Sequence, residues 1–566
     1  MKQKILLTLW AVAAMTVSVK AQSPFDEIRK NVTLSANNYL AYPGPTQQQL
    51  TPAPAGYKPI YISHYGRHGS RYLIDPNDYQ YVVDVLASAD RRGTLTELGY
   101  ATLAKVCRMQ REAEGRLGEL TPLGALQHRQ IARRMYERFP DVFSDTAHVD
   151  ARSTVVIRCI LSMENALQEL IRLNPRLRIS HDASQHDMYY MNQQDSALFA
   201  QKMNSLTKLV YDRWEDEHVR PQRLMSVLFS SEDYIREHVN ARELYYKLYH
   251  LAGIVQNSEI RHELSLYPLF TTDELCQLWE QENIWWYLAY GPNPRNGGGQ
   301  PFTQRNLLRN IIQEADSCLA LQRPCATLRF GHETMVMPLA SLLGLNGLDQ
   351  GITNLAKVAD HWVDYRIFPM AANIQLVFYS KPATHSTPSQ APILVKVLLN
   401  ENEATLPLTP VKGPYYRWDD VRQYYLDKLE EWQQRQPIST WENEASLSEE
   451  PPLLVAAPAE EERVYDVVEQ MPSFPGGNIA MMSFIKKNLQ VPSNLLEEDV
   501  RFSVIVSFIV ETDGTLSDVS VMRSQDPHLN KEALRVVKLM PKWKPGRQNG
   551  KAVRCRYNVP IVSSLF

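Results

Sequence analysis

Six cysteines among 566 residues, none in a CxxC pair or at Cys/His ligand spacing, leave no framework for a zinc site. Cys318 and Cys325 are close enough in sequence to form a disulfide, and free thiols fit the sequence equally well. An excess of one charge is also missing. Sixty Lys and Arg against 63 Asp and Glu give a net charge of −3, so nothing global draws the chain to nucleic acid or to acidic partners. An anion site must therefore come from a local cluster. After Val17 no apolar run approaches the about 20 residues needed to span a bilayer, and no internal repeat is visible.

The one apolar run that stands out lies at the start. MKQKILLTLWAVAAMTVSVKAQ sets Lys2 and Lys4 before the stretch Ile5 to Val17, with Val19-Lys20-Ala21 ahead of Gln22. That order of basic, apolar and small residues predicts a signal peptide over residues 1–21, with an uncleaved anchor as the alternative. Export would place the mature chain in the periplasm or at the outer membrane, without a transmembrane segment.

A chain of this length exceeds one ordinary core. The composition breaks after the helical run DDVRQYYLDKLEEWQQRQ (419–436), where residues 438–463 become rich in Glu, Pro, Ala and Ser. Such a segment predicts a self-repelling linker between a large domain, 22–437, and a smaller one, 464–566. In the larger part, KPIYISHYG (58–66), ATLRFG (326–331), NIQLVFYS (373–380) and APILVKVLLN (391–400) read as strands, and residues 185–325 are mainly helical in pattern. The expected fold is α/β, a Rossmann-like mixed sheet with a helical cap insertion. In the smaller part, RFSVIVSFIVETDGTLSDVSVMRS (501–524) is a hairpin turning at Asp513-Gly514. NKEALRVVKLM (530–540) is an amphipathic helix and VRCRYNVPIV (553–562) a last strand, which makes a small α+β domain.

Against this even background one turn is unusual. YISHYGRHGSRYL (61–73) places Arg67, His68 and Arg71 on a glycine-broken turn just beyond a strand. Ligands of open α/β sheets bind beyond the carboxyl ends of strands. His332, in FGHETMVMPL, follows another strand and is 264 residues further on, so the two histidines are expected to share one crevice. Arg158 opens a helical run in RSTVVIRCILSMENAL (152–167), where a helix N-terminus suits a phosphate. Gly66 and Gly69 are expected to let the backbone approach the anion. His64 and His128 read as structural, and Trp285, Trp286 and Tyr287 as core. The basic stretch 291–310, with Arg295, Arg305 and Arg309, could meet additional phosphates or be a plain surface loop.

RHGSR resembles the RHGxR signature of the histidine phosphatase superfamily. ELTPLGALQHRQIARRM (119–135), RCILSMENAL and LRFGHETMVMPLASLLGL (328–345) resemble three further segments of its second branch, the histidine acid phosphatases, which include phytases and multiple inositol polyphosphate phosphatases. Two departures stand out: Leu73 where the family usually has Pro, and Glu333 directly after the second histidine, where phytases carry Asp. The resemblance implies hydrolysis of a small phosphorylated substrate, inositol phosphates in the first place. His68 would be the nucleophile, forming a phosphohistidine, and Arg67, Arg71, Arg158 and His332 would bind phosphate. Glu333 would be the proton donor, and no metal or other cofactor would be needed. Guanidinium forks suit a phosphate dianion because they bind it bidentately and stay protonated. The alternatives are a broad-specificity acid phosphatase, or a weakly active phosphate-ligand binder that docks to outer-membrane receptors. Docking enters because VYDVVEQMPSFPGG (464–477) and MPKWKPGRQNGKAV (540–553) resemble the C-terminal domain of TonB proteins, which implies binding of a receptor peptide by residues 464–566.

Overall fold

The computed structural model describes residues 23–192, 195–321, 323–381, 391–435, 464–465, 472–489, 503–523, 527–548 and 551–562. The expected signal peptide and linker lie outside the described residues. The chain divides into two compact units between Pro437 and Ile438.

The first unit is built on a mixed sheet of β1 (Lys58–Arg67), β2 (His148–Ser153), β3 (Arg178–Asp182), β4 (Cys325–Gly331), β5 (Asn373–Ser380), β6 (Leu394–Leu399) and β7 (Asn402–Ala404). Their order is β3-β2-β4-β1-β5-β6-β7, and the short β8 (Tyr416–Arg417) pairs with β6. β3, β2, β4 and β1 run parallel, while β5 to β8 add antiparallel strands on the other side. β1 and β4 are central, which is why ATLRF and YISHY carry no polar/apolar alternation: every residue of β4 is buried. One face of the sheet packs on the helices Pro122–Arg138 and Ile157–Leu173, with Phe143, Val149, Leu167 and Leu170 between. The opposite core draws on Tyr61, Leu307, Ile311, Leu339 and Phe378.

Between β3 and β4 the chain runs through helices and 3-10 turns from Gln185 to Ala320, the expected insertion. The stretch 291–310 is not a plain loop. It forms two 3-10 turns, Pro294–Asn296 and Gln300–Gln304, and then the helix Arg305–Ala320. Trp286 and Tyr287 are core, as expected, and Trp285 is half-buried. None of the six cysteines forms a disulfide.

The second unit has β9 (Val464–Tyr465), β10 (Ser503–Val510), β11 (Leu516–Arg523), β12 (Gly546–Gln548) and β13 (Lys551–Val562), in the order β11-β10-β13-β12 with β9 on β13. Its core joins Phe474, Ile485, Val506, Phe508, Val536 and Trp543. The Asp513-Gly514 turn needs its glycine twice over. Gly514 has φ of +83°, and a Cβ there would lie 2.1 Å from the Trp543 carbonyl oxygen. No described helix is long and apolar enough to cross a membrane.

Candidate active site

The parallel register of β1 and β4 creates the site. Arg67 pairs with Gly331, so His68 and His332 are the next residues on neighbouring strands. The His68 amide donates to the Gly331 carbonyl at 2.8 Å, and the two imidazole rings lie 5.8 Å apart in an edge-to-face arrangement. Two turns 264 residues apart in sequence thus form one floor.

Packing holds the turn after β1 in place. A Cβ on Gly69 would fall 2.5 Å from the Gly124 carbonyl oxygen, and one on Gly124 would fall 2.3 Å from the Ser70 carbonyl oxygen. A Cβ on Gly66 would strike the His64 ring at 2.7 Å. These glycines therefore admit close packing of protein against protein. Thr121 caps the helix that begins at Pro122, and its hydroxyl also donates to the Ser70 carbonyl at 3.1 Å. Gln127 accepts from the Ser70 amide at 2.9 Å, and Ser162 accepts from the Gly69 amide at 3.1 Å.

Arg67 is completely buried, and its Nη1 donates to the carbonyls of Asn38 (2.7 Å) and Phe368 (2.8 Å). The first of these follows Asn37, whose backbone is strained at φ 52° and ψ −127°. Arg71 lies over the Tyr39 ring at 5.7 Å and donates to the Tyr72 carbonyl at 2.9 Å. Arg158 is the second residue of its helix, with Nε buried and unpaired. His332 has Nε2 3.3 Å from the Thr154 hydroxyl, and the Cys159 thiol donates to the Gly331 carbonyl at 3.3 Å. Sequence reasoning passed over Asn38, Tyr39, Phe368, Thr154 and Cys159. Thr154 alone left a signal, since it sits just past the end of β2.

Glu333 opens the helix Glu333–Leu342 and turns into this cluster. Its Oε2 lies 3.1 Å from Arg67 Nε and 3.6 Å from His68 Nε2. The buried polar atoms without a hydrogen bond include Arg67 Nη2, His68 Nε2, Arg71 Nε, Arg158 Nε and Glu333 Oε2. Buried donors and acceptors are ordinarily satisfied, so a group of orphans in one place marks a ligand site.

Electrostatics give each group a charge state. Burial, aided by the nearby Arg67 and Arg158, holds His68 well below the usual imidazole range despite the opposing pull of Glu333. His332 is brought down to about 4, again first by burial. Burial also lowers Arg67, to about 10, and lowers Arg158. For Glu333 burial alone would raise the pKa, but Arg67, His68 and Arg71 together outweigh it and hold the carboxyl well below its usual range. Both imidazoles are then neutral, and three guanidinium charges less one carboxylate leave +2, the complement of a phosphomonoester dianion. Near His68 Nδ1 the Gly69 carbonyl lies at 2.9 Å, which favours the proton on Nδ1 and leaves the lone pair on the unpartnered Nε2. His68, His332 and Glu333 bring three possible metal-ligand atoms within 4.8 Å, but the surrounding arginines oppose a divalent cation there.

The remaining sequence candidates separate cleanly. His64 and His128 are buried against Phe330 and pushed down to about 3, mainly by burial, as core histidines should be. Arg305 is ion-paired with Asp195 at 2.8 Å, Arg309 bonds Gln433, and Arg295 donates to the Thr353 carbonyl. These three arginines are engaged with protein and are not drawn into the cluster.

Residues 66–400 match the family model described as histidine phosphatase superfamily (branch 2), and residues 491–563 match that of the Gram-negative bacterial TonB protein C-terminal. Among solved structures, the multiple inositol polyphosphate phosphatase of Bifidobacterium longum is similar at 18% identity and a TM-score of 0.58, covering 69% of this chain and 97% of that one. Its complex with phosphate is similar at the same identity and TM-score. The phytase of D. castellii is similar at 15% identity and a TM-score of 0.50, over 70% of this chain and 85% of that one. No curated protein matches.

Proposed function

Because the chain belongs to the histidine phosphatase superfamily (branch 2) and is a histidine acid phosphatase, we propose that it hydrolyses phosphomonoesters through a phosphohistidine on His68, with inositol phosphates the favoured substrates. The observation that carries this reading is the unpartnered Nε2 of a neutral His68, set among three arginines at the end of β1. Arg67, Arg71 and Arg158 would hold the phosphoryl oxygens, and His332 would donate a hydrogen bond where charge develops. The lone pair on Nε2 attacks phosphorus, the P–O ester bond breaks, and the leaving oxygen takes a proton from Glu333. Water then attacks the phosphohistidine, giving its proton back to Glu333 and releasing phosphate.

Glu333 is ionised in the free site, because the guanidinium of Arg67, 3.1 Å away, stabilises the charge. An incoming dianion displaces it from Arg67 and repels its negative charge, so the carboxyl takes up the proton that it later donates. Substrate binding is thus coupled to proton uptake. Inositol phosphates are favoured because the Bifidobacterium longum enzyme of similar fold bears that substrate class in its name, and RHGSRY and the Arg158 segment resemble its group.

We also propose that the chain is exported and that residues 464–566 dock to a peptide of an outer-membrane receptor. The C-terminal match and the edge position of β11 support this, since an edge strand can accept a further strand. A panel of phytate, sugar phosphates and an aryl phosphate, run from pH 4 to 7, tests the catalytic reading. Release from phytate with the highest kcat/KM is expected, equal rates on all would make it a broad-specificity acid phosphatase, and no release from any would overturn it. For docking, deletion of residues 464–566 should abolish outer-membrane fractionation; unchanged fractionation would refute it.

A further inference from the structure

The two arginines of the turn after β1 are held unequally. Arg67 donates from Nη1 to two carbonyls and lies 3.1 Å from Glu333. The Arg71 side chain makes one hydrogen bond among the described residues, from Nη1 to the Tyr72 carbonyl at 2.9 Å, and its Nε is unpaired. A small cavity lined by Met109, Glu112, Ile254 and Ser258 borders it. What faces its guanidinium is the Tyr39 ring, whose centre lies 5.7 Å from the guanidinium carbon. A second small cavity, lined by Asn37, His250 and Glu282, borders Tyr39 in turn. Close packing therefore encloses neither group on all sides, and a polar tether has to supply the rest.

That tether starts in the same turn. Ser70, next to Arg71, accepts from Gln127 Nε2 at 2.9 Å and donates its hydroxyl to Asn257 Oδ1 at 2.5 Å. Asn257 in turn donates from Nδ2 to the Tyr39 carbonyl at 2.6 Å. All three polar side chains are buried, and the donors run in one direction, from Gln127 through Ser70 and Asn257 to Tyr39. Asn257 ends the 3-10 turn Val255–Asn257, after the helix Ala241–Ile254 of the insertion. One amide thus joins three stretches that are far apart in sequence: the catalytic turn, the insertion, and the segment before β1. That last segment also supplies the Asn38 carbonyl to Arg67 and carries the strained Asn37. It precedes residue 66, where the family match begins.

We infer that Asn257 is a positioning residue for the proposed reaction: by joining Ser70 to the Tyr39 carbonyl, it seats the Tyr39 ring against Arg71 and so sets that guanidinium for the phosphoryl group. Resting on the phosphatase reading, this role needs no contact between Asn257 and substrate. Without the amide, the Ser70 hydroxyl and the Tyr39 carbonyl lose their partners in a buried place, and the ring is released from its seat. Arg71 then loses the group that faces it, and phosphate binding weakens through that one arginine.

The test measures inorganic phosphate binding by calorimetry and the KM for p-nitrophenyl phosphate. It compares wild type, Asn257→Ala, Tyr39→Leu, Tyr39→Phe and Arg71→Ala, and Arg71→Ala combined with each of the first two variants. Asn257→Ala and Tyr39→Leu should each weaken phosphate binding and raise KM by about fivefold to tenfold. Tyr39→Phe keeps both ring and carbonyl and should stay within about twofold of wild type. On the Arg71→Ala background neither Asn257→Ala nor Tyr39→Leu should weaken binding further, since both act through that guanidinium. Losses that add to that of Arg71→Ala would make Asn257 a structural support and overturn the inference. So would the absence of any loss, or a loss in Tyr39→Phe equal to that in Tyr39→Leu. If Asn257→Ala does not fold, Ser70→Ala, which cuts the link at its other end, takes its place. A wild type that binds phosphate without turning over the ester would overturn the catalytic reading, while the binding data still decide the role of Asn257. A wild type that does neither would overturn both.

Discussion

The two strand ends that meet in the site are chemically unlike. The turn after β1 is wholly basic, with Arg67, His68 and Arg71, and its backbone is locked against the helix that starts at Pro122. The turn after β4 brings His332 and the only carboxylate of the cluster, Glu333. In the proposed reaction the first end would bind the anion and attack it, but it has no carboxyl to give a proton. The second would give the proton in that proposal, but offers too little positive charge to bind a dianion. Their meeting also describes the free site: Glu333 rests on Arg67 and His68, the residues proposed to meet a phosphoryl group.

That contrast can be broken at either end. Replacing His68 by Ala removes the proposed nucleophile and should lower kcat on the order of 10^4-fold or more, with inorganic phosphate binding kept by the arginines, as steady-state rates and calorimetry would show. Replacing Glu333 by Gln should cost about 10^2 to 10^4-fold in kcat on alkyl phosphates, whose leaving group needs the proton. The same variant should bind inorganic phosphate more tightly, because a neutral amide competes less well for Arg67. In wild type the alkaline limb of kcat should lie at higher pH than that of kcat/KM. The sign follows from the geometry: the free site depresses Glu333, whereas a bound dianion raises it, so protonated Glu333 persists to higher pH in the complex.

Smaller effects should come from the frame around the first end. Gly124→Ala drives a Cβ into the Ser70 backbone and should destabilise the unit by about 1–3 kcal/mol, read as a lower Tm together with a raised KM. His64 and His128 are held neutral down to about 3, so between pH 6.5 and 3 the unfolded chain binds more protons than the folded one. Stability should then fall with pH in that window, by at most roughly 1.4 kcal/mol per pH unit for each residue. His128→Asn should flatten that fall in thermal melts.

Much of the site was legible because its charged members sit in short contiguous turns. RHGSR and GHE follow strands that are buried on both faces, and such strands are recognisable as apolar runs. The strands β2 and β3 were harder to see: HVDARS alternates between buried and half-buried residues, and RISHD is half-exposed. What holds the arginines was not legible at all. Asn38 and Phe368 act through backbone carbonyls, which any residue supplies, and Tyr39 acts through a ring that composition cannot place. The glycines were visible in the sequence, but only the fold shows that a Cβ there would meet Gly124, Ser70 or His64. Charge state was equally hidden, since the position of Glu333 against Arg67 and His68 decides that it is ionised in the free site.

The most direct test of the account is to trap the covalent intermediate. An aryl phosphate needs no proton on its leaving group, so Glu333→Gln should still be phosphorylated, while attack by water on the intermediate stalls without its base. Mixing that variant with a phosphorus-labelled aryl phosphate and quenching in alkali should leave label on the peptide that contains His68, and none when His68 is also replaced by Ala. Label on another residue, or equal label with and without His68, would contradict the account.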